Sequence, residues 1–209
     1  MKQLFAIFAL TCAFLVPANT VWAACTDEHP AKDLIQTTTK KVLDAITTDN
    51  ANTESVLNQH VIPHFDWERM SSKVLGKNKR GKNKWRKKAT GDQQALQNRF
   101  IEAFQSLLIR TYKTSLKEAA GTDFEVEYLP VCGRKLHKRA KIRARVTQSA
   151  KKVAVDFKMS KGKRTGNKWK AYDVYVEGIS LLANYRNEFK PLTIKQAIAK
   201  IKSKNRTAQ

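Results

Sequence analysis

The sequence predicts an α+β domain in which helices cover one face of a curved, four-stranded antiparallel sheet. Three observations carry that expectation. Apolar residues recur at helical spacing up to about residue 120; across residues 124–177 the period changes to two; at Gly178 it turns helical again.

The chain has 209 residues, enough for one domain with a substantial core or an enclosed cavity. Its start reads as an export signal: Lys2, an apolar run over residues 4–16, and Val21-Trp22-Ala23 as an A-x-A-like site. The run is too short to span a bilayer. We therefore expect a Sec-type signal peptide over residues 1–23, cleaved after Ala23, and a single exported domain over residues 24–209. Cys25 raises a lipoprotein reading, which Trp22 opposes by standing where a lipobox takes a small aliphatic residue. Loss of Cys12 leaves Cys25 and Cys132; a disulfide and two separate thiols both fit, because sequence does not give their separation.

The formal charge is +22, and the leader carries only Lys2 of it. In the cytosol such a balance would point to nucleic acid. Outside it, the abundant anions are phospholipid headgroups and the surfaces of membrane complexes.

Pro30 suits the first turn of a helix, and Leu34, Ile35, Val42, Leu43 and Ile46 give it one apolar stripe to about residue 48. A second, short helix runs from Thr53 through Val56 and Leu57 and breaks before Pro63. Residues 73–88 hold nine basic side chains and no acid, with Gly81 and two asparagines, and read as a loop. A solvated loop that keeps the protein soluble and a docking surface for anions are both open readings. Thr90 with Gln93 opens the longest helix, whose apolar residues Leu96, Phe100, Phe104, Leu107, Leu108, Tyr112 and Leu116 keep period to Gly121, a natural stop.

Four strands follow. Phe124, Val126 and Tyr128 form the first apolar row, Ile142, Ala144 and Val146 the second, and Val153, Val155, Phe157 and Met159 the third. In the fourth, Lys170, Tyr172, Val174 and Val176 alternate with Asp173, Tyr175 and Glu177. The short connections at residues 148–151 and 160–168 favour antiparallel neighbours. From Gly178 onward, Ile179, Leu181, Leu182, Tyr185 and Phe189 recur at helical spacing. A last helix starts at a Thr193–Gln196 capping box and turns Ile194, Ala197, Ile198 and Ile201 inward, before a polar tail.

Catalytic patterns are missing: there is no G-x-S-x-G, H-E-x-x-H, Walker A loop or C-x-x-C. His60 and His64 have zinc-like spacing, but Pro63 interrupts the helix and no third ligand stands near; His29 and His137 are isolated. Asp173 and Glu177 read as an acid/base pair or as exposed partners for lysines. The expectation is a non-enzyme without metal or cofactor, whose apolar layer composition alone would read as an ordinary filled core.

Three ordered motifs change that reading. Trp169-Lys170-x-Tyr172-Asp173-Val174, then Glu177-Gly178-Ile179-Ser180-Leu181, then Asn184-Tyr185-Arg186-x-x-Phe189 resemble the signature of the MlaC, or toluene-tolerance, family of periplasmic phospholipid-binding proteins. Pro63-His64-Phe65-Asp66 with Met70 and Val74-Leu75-Gly76 is similar to a second family element, and Trp85-Arg86 with Ala89-Thr90 and Gln93 to a third. Residues 78–83 read as an insertion in that pattern, and Gly91 stands where the family often has proline.

The resemblance spans about residues 31–202 and implies a nuclear transport factor 2-like cone with an apolar cavity. It implies a monomeric periplasmic carrier of phospholipid cargo, with no nucleic-acid partner. Such a carrier works between an outer-membrane lipoprotein–porin complex and an inner-membrane Mla ABC transporter, maintaining outer-membrane lipid asymmetry. On this reading the acyl cavity draws on Leu75, Phe100, Phe104, Leu108, Tyr112, Val126, Tyr128, Ile142, Val146, Val155, Phe157, Tyr172, Val174 and Ile179. Headgroup or partner docking draws on Lys79, Arg80, Lys82, Lys84 and Arg86. The competing reading is an exported basic adaptor that recognises polyanions and has a solid core.

Overall fold

The computed structural model describes residues 24–48, 52–78, 80–86, 88–120, 124–133, 135–148 and 150–207. The expected leader (residues 1–23), Lys79 and the expected helix stop at Gly121 lie outside the described residues. Six α-helices and seven strands follow in order: β1 Ala24–Thr26, α1 Pro30–Thr48, α2 Thr53–His60, α3 Trp67–Leu75, α4 Gly91–Ala120, β2 Phe124–Tyr128, β3 Val131–Gly133, β4 Arg139–Gln148, β5 Lys151–Ser160, β6 Lys170–Val176, β7 Ile179–Ser180, α5 Leu181–Phe189 and α6 Ile194–Thr207.

The main sheet is antiparallel with order β2-β4-β5-β6-β7, five strands where four were expected. The fifth arises at Glu177–Gly178, where both residues take positive φ (49° and 77°). A two-residue primed turn requires this, so the chain folds back as a hairpin pairing Val176 with Ile179. Only after Ser180, whose Oγ accepts from Ala183 N at 3.1 Å, does the helix begin. Ile179 is thus a strand residue, 61 % exposed, and does not line a cavity as expected.

Register defines the sheet's inner face. Ala140 pairs with Met159, Ile142 with Phe157, Ala144 with Val155 and Val146 with Val153, so the apolar rows of β4 and β5 coincide. Along β6 the row breaks: Phe157 pairs with Val174 and Lys158 with Asp173, but Met159 pairs with Ala171. Tyr172 is the extra residue of a bulge. The expected run Lys170, Tyr172, Val174 is therefore replaced on the inner face by Ala171 and Val174. The Tyr172 ring instead receives the Arg69 guanidinium at 3.3 Å and the Lys73 ammonium at 4.5 Å, both from α3.

Three apolar clusters hold the fold. One is built almost wholly from helices: Met70, Val74 and Leu75 of α3, Phe100, Phe104, Leu107 and Leu108 of α4, Leu182 and Phe189 of α5, and the buried face of α6, with Trp85 from the intervening loop. The second seats the start of α1, Ala31 and Ile35, on Ile142, Met159 and Ala171 of the sheet. The third joins Val42 and Ile46 of α1 to Val56 and Leu57 of α2 and Ile109 of α4.

Local chemistry fixes the element ends. His29 takes the amide of Ala31 at Nδ1 (3.1 Å), so its Nε2 carries the proton and donates to Leu136 O (3.0 Å), joining the start of α1 to the β3–β4 turn. A disulfide between Cys25 and Cys132 links β1 to β3 in the same region, settling the pairing that sequence left open. The helix α3, which sequence periodicity did not anticipate, is capped by Asp66, whose Oδ1 accepts from Arg69 N; its other oxygen receives Arg164 at 2.6 Å. The Thr193–Gln196 capping box forms reciprocally at the head of α6.

Candidate functional site

Where the three clusters meet, side chains do not fill the interior. Two adjoining apolar chambers, of about 150 and 200 Å³, lie between the sheet and α1, α2 and α4. The first is walled by Ile62, Trp67, Met70, Leu108, Ile109, Tyr112, Val174 and Leu181. The second is walled by Ile35, Thr38, Thr39, Val42, Leu43, His64, Phe124, Phe157 and Ala171. Leu57, Val61, Phe65 and Leu116 contribute to both and so form the partition.

The partition is placed by the break before Pro63. There α2 ends, and a single 3-10 turn (Ile62–His64) redirects the chain toward the sheet. Asp66 N then donates to Ala171 O at 2.8 Å, and Phe65 bridges to Ala171 beside β6, which fixes the Phe65 ring between the chambers. Trp67 packs against both Phe65 and Phe104, and its Nε1 donates to Ile62 O at 2.9 Å, so the indole presents only carbon to the first chamber.

Polar groups at the walls are few. Tyr112, 36 % exposed at the rim of the first chamber, hydrogen-bonds Tyr185; burial and then that neighbour push its phenol pKa up, so it stays neutral. Tyr128 is pushed up by burial and hydrogen-bonds Thr39 of the second chamber. His64 is held below the usual histidine range, first by burial and then by the charges of Lys170, Lys41 and His60, so it is neutral at pH 7. Chambers so lined are suited to hydrocarbon, and no carboxylate borders either of them. Among the described residues, no group of three His, Cys, Asp or Glu side chains is placed to hold a metal ion, and no helix is long and apolar enough to cross a membrane.

Of the expected lining residues, Leu108, Tyr112, Phe157 and Val174 reach the chambers. Leu75, Phe100 and Phe104 are fully buried in the helical cluster, because the start of α4 faces α3, α5 and α6 rather than the sheet. Ile142 is sealed beneath α1. Val126, Tyr128, Val146 and Val155 share the inner face but lie outside both chambers, as do bulged Tyr172 and exposed Ile179. The partition itself was missed. Its one available signal was the short apolar run at residues 61–65, which has no period because it lies on a turn.

Asp173 and Glu177 are both engaged by the fold, and neither takes part in the ion pairs found among the described residues. Asp173 is buried and accepts from Ser180 Oγ (3.0 Å) and Leu182 N (3.4 Å), fastening the head of α5; the Glu177 carboxylate accepts from Ala154 N. The basic stretch starts within α3 at Lys73 and continues as the expected loop, part of which turns back on itself: Lys77 bridges to Asn83, and the Asn78 side chain accepts from the amides of Arg80 and Lys82. Lys84 is drawn inward, donating to the carbonyls of Lys190 and Leu192, while Lys82 and Arg86 remain exposed.

Two comparisons with known proteins bear on the family and the fold. The profile of the family described as MlaC protein matches residues 33–204. Among solved structures, a phospholipid-binding protein from Ralstonia solanacearum, determined in complex with a phospholipid, is similar over 85 % of this chain and 97 % of its own, with a TM-score of 0.70 and 24 % identity. That likeness establishes a shared fold.

Proposed function

Because the chain belongs to the MlaC protein family, we propose that it is a periplasmic phospholipid carrier that holds acyl chains in the paired chambers and performs no covalent chemistry. The observation that carries this reading is the pair of apolar chambers where α1, α2, α4 and the sheet do not close on one another. The phospholipid bound by the Ralstonia solanacearum neighbour supports it. A nuclear transport factor 2-like cone, with α1 and α2 over the hollow side of the sheet, belongs to the same proposal. So do export by the leader and shuttling between outer-membrane and inner-membrane Mla complexes in support of lipid asymmetry.

Energetics set the mechanism. Each methylene moved out of water gains about 0.8 kcal/mol, so the two chains of a diacyl lipid represent roughly 20 kcal/mol. A carrier has only to match the bilayer, which a dry cavity of sufficient size does. Each chamber alone falls short of the roughly 300–1,000 Å³ usual for ligand sites. Cargo therefore enters by displacing the partition, and the two chambers merge as Leu57, Val61 and Phe65 move with the end of α2 and the turn that follows. No main-chain ladder is broken in that motion except the contact of residues 65 and 66 with Ala171.

Native mass spectrometry of the gently purified protein, followed by lipid extraction, tests the proposal. The expected result is a population heavier by one phospholipid. Lipid-free protein from several gentle preparations, with no uptake from vesicles, would contradict it.

A further inference from the structure

A second concave feature lies well away from the chambers. The hairpin closed by the Lys77–Asn83 bridge and the α5–α6 turn border a groove of about 740 Å³, lined by Lys77, Asn78, Arg80, Lys84, Asn187, Lys190 and residues 191–193. Its volume falls within the usual range of ligand sites. Four cations border it and no carboxylate does. None of the four takes part in the ion pairs found among the described residues.

Ordinary helix-end compensation does not account for that charge. The C-termini of α3 and α5 converge on the groove, at Gly76 and Lys190, and together supply at most about one unit of negative charge, part of which the N-terminus of α6 cancels. A surplus of about three positive charges is left facing solvent across a concave surface. Burial, and then the charge of Lys190, lowers the pKa of Lys84, in keeping with a site that concentrates positive potential.

The groove is built, not incidental. Lys84 fastens the hairpin to the turn by donating to the carbonyls of Lys190 and Leu192. Within the hairpin, Asn78 N pairs with Lys82 O and Gly81 N with Asn78 O. The main chain on both walls is thus engaged, and an extended acidic peptide finds no strand edge to add to. What the walls do offer is the ammonium groups of Lys77 and Lys190 and the guanidinium of Arg80, beside Pro191 and Leu192 and the Asn78 and Asn187 amides. That combination suits a phosphate whose oxygens accept from point charges while its glycerol rests on carbon.

The groove is not the mouth of the cargo chambers. The helix α3 runs from Met70 at the first chamber to Gly76 at the groove, a span of about 9 Å, and the closed helical cluster fills the space between. We propose that this groove is a headgroup-binding site through which the protein settles on anionic phospholipid membranes. The site holds whether or not the chambers carry cargo.

The test compares the full-length protein with the triple variant Lys77→Gln, Arg80→Gln, Lys190→Gln, which leaves the Lys84 fastening intact. A control variant, Lys117→Gln, Lys138→Gln, Lys168→Gln, removes the same charge from exposed positions outside the groove. Binding to vesicles containing phosphatidylglycerol is measured by co-sedimentation, against pure phosphatidylcholine. At about fivefold per lysine or arginine near an anionic surface, the groove variant should bind about a hundredfold more weakly. The control should lose no more than about fivefold, and circular dichroism should show both variants folded. Equal losses in both variants would make the binding a property of net charge and overturn the proposal. So would unchanged binding by the groove variant. Displacement by inorganic phosphate at low concentration would mark a free-anion site instead, and tighter, groove-dependent binding to a polyglutamate peptide would mark a protein interface; either result refutes membrane docking.

Discussion

The two halves of α4 carry apolar residues at one uninterrupted helical spacing, yet they face two kinds of interior. Toward its start, Phe100 and Phe104 are fully buried, with Phe104 in ring contact with Trp67, Tyr185 and Phe189. Toward its end, Leu108, Ile109, Tyr112 and Leu116 border space that no side chain occupies. The difference lies in the neighbours. The first half meets other helices, whose ridges interlock with its own. The second half meets α1 and α2 through Ile109 but faces the sheet only across the chambers, where the bulge at Tyr172 puts small Ala171 in place of a larger residue that would narrow the gap. One helix thereby anchors the molecule and opens a chamber.

That contrast can be broken most directly by truncation. Phe104→Ala should lower the unfolding free energy by about 3–5 kcal/mol, as for a well-packed aromatic. Leu116→Ala, already facing open space on one side, should cost roughly 1–2 kcal/mol, below the usual range for buried leucine. Urea titration reads both, and equal losses would show that the two regions are packed alike.

The next largest effect concerns α1, which walls the second chamber. Cys25 and Cys132 are 107 residues apart in sequence. Breaking their bond with Cys25→Ser and Cys132→Ser should cost about 2–5 kcal/mol. It should also free the start of α1 from the sheet, so hydrogen exchange should accelerate in α1 and not in α6. Uniform acceleration would mean that the staple does not serve the chamber in particular.

A smaller effect separates filled from unfilled space by addition. Val174→Phe should change stability by less than about 1 kcal/mol, where the same enlargement inside a packed core costs about 1–3 kcal/mol. It should also reduce lipid uptake from vesicles. A full core-type penalty would mean that the first chamber is not available volume.

The smallest effect is electrostatic. His64 has its pKa depressed in the folded state, so the unfolded chain binds the proton more tightly. Its contribution is therefore present above about pH 6.5 and is lost as pH falls below that value toward the folded pKa. His64→Gln should flatten the decline of stability below about pH 6.5 and leave pH 8 stability nearly unchanged. An identical slope in both proteins would remove His64 from the account.

Much of the fold was legible in sequence because period survives where an element has one neighbour. The span of α1 follows from Pro30 and its stripe, the two long strands β4 and β5 from strict alternation, and α6 from its capping box. Three features were not legible. The bulge at Tyr172 leaves the alternation of residue types intact while reversing which side faces in, since bulges follow from pairing and not from composition. The helix α3 is so short that Met70 and Val74, one turn apart, were absorbed into a motif; Asp66 as its cap was the available signal. The chamber walls escaped for a third reason: period gives the face of a helix but not what stands opposite. Phe100 and Leu108, on the same face of α4, therefore could not be told apart.

The chain itself carries the probes for the central claim. Trp67 walls the first chamber, whereas Trp85 belongs to the closed helical cluster. With the remaining tryptophans replaced by phenylalanine, one variant keeps only Trp67 and another only Trp85, and each is loaded with a phospholipid brominated along its acyl chains. Bromine quenches indole fluorescence only at contact distance. The account predicts strong quenching of Trp67 and little of Trp85; no quenching of Trp67, or equal quenching of both, would contradict it.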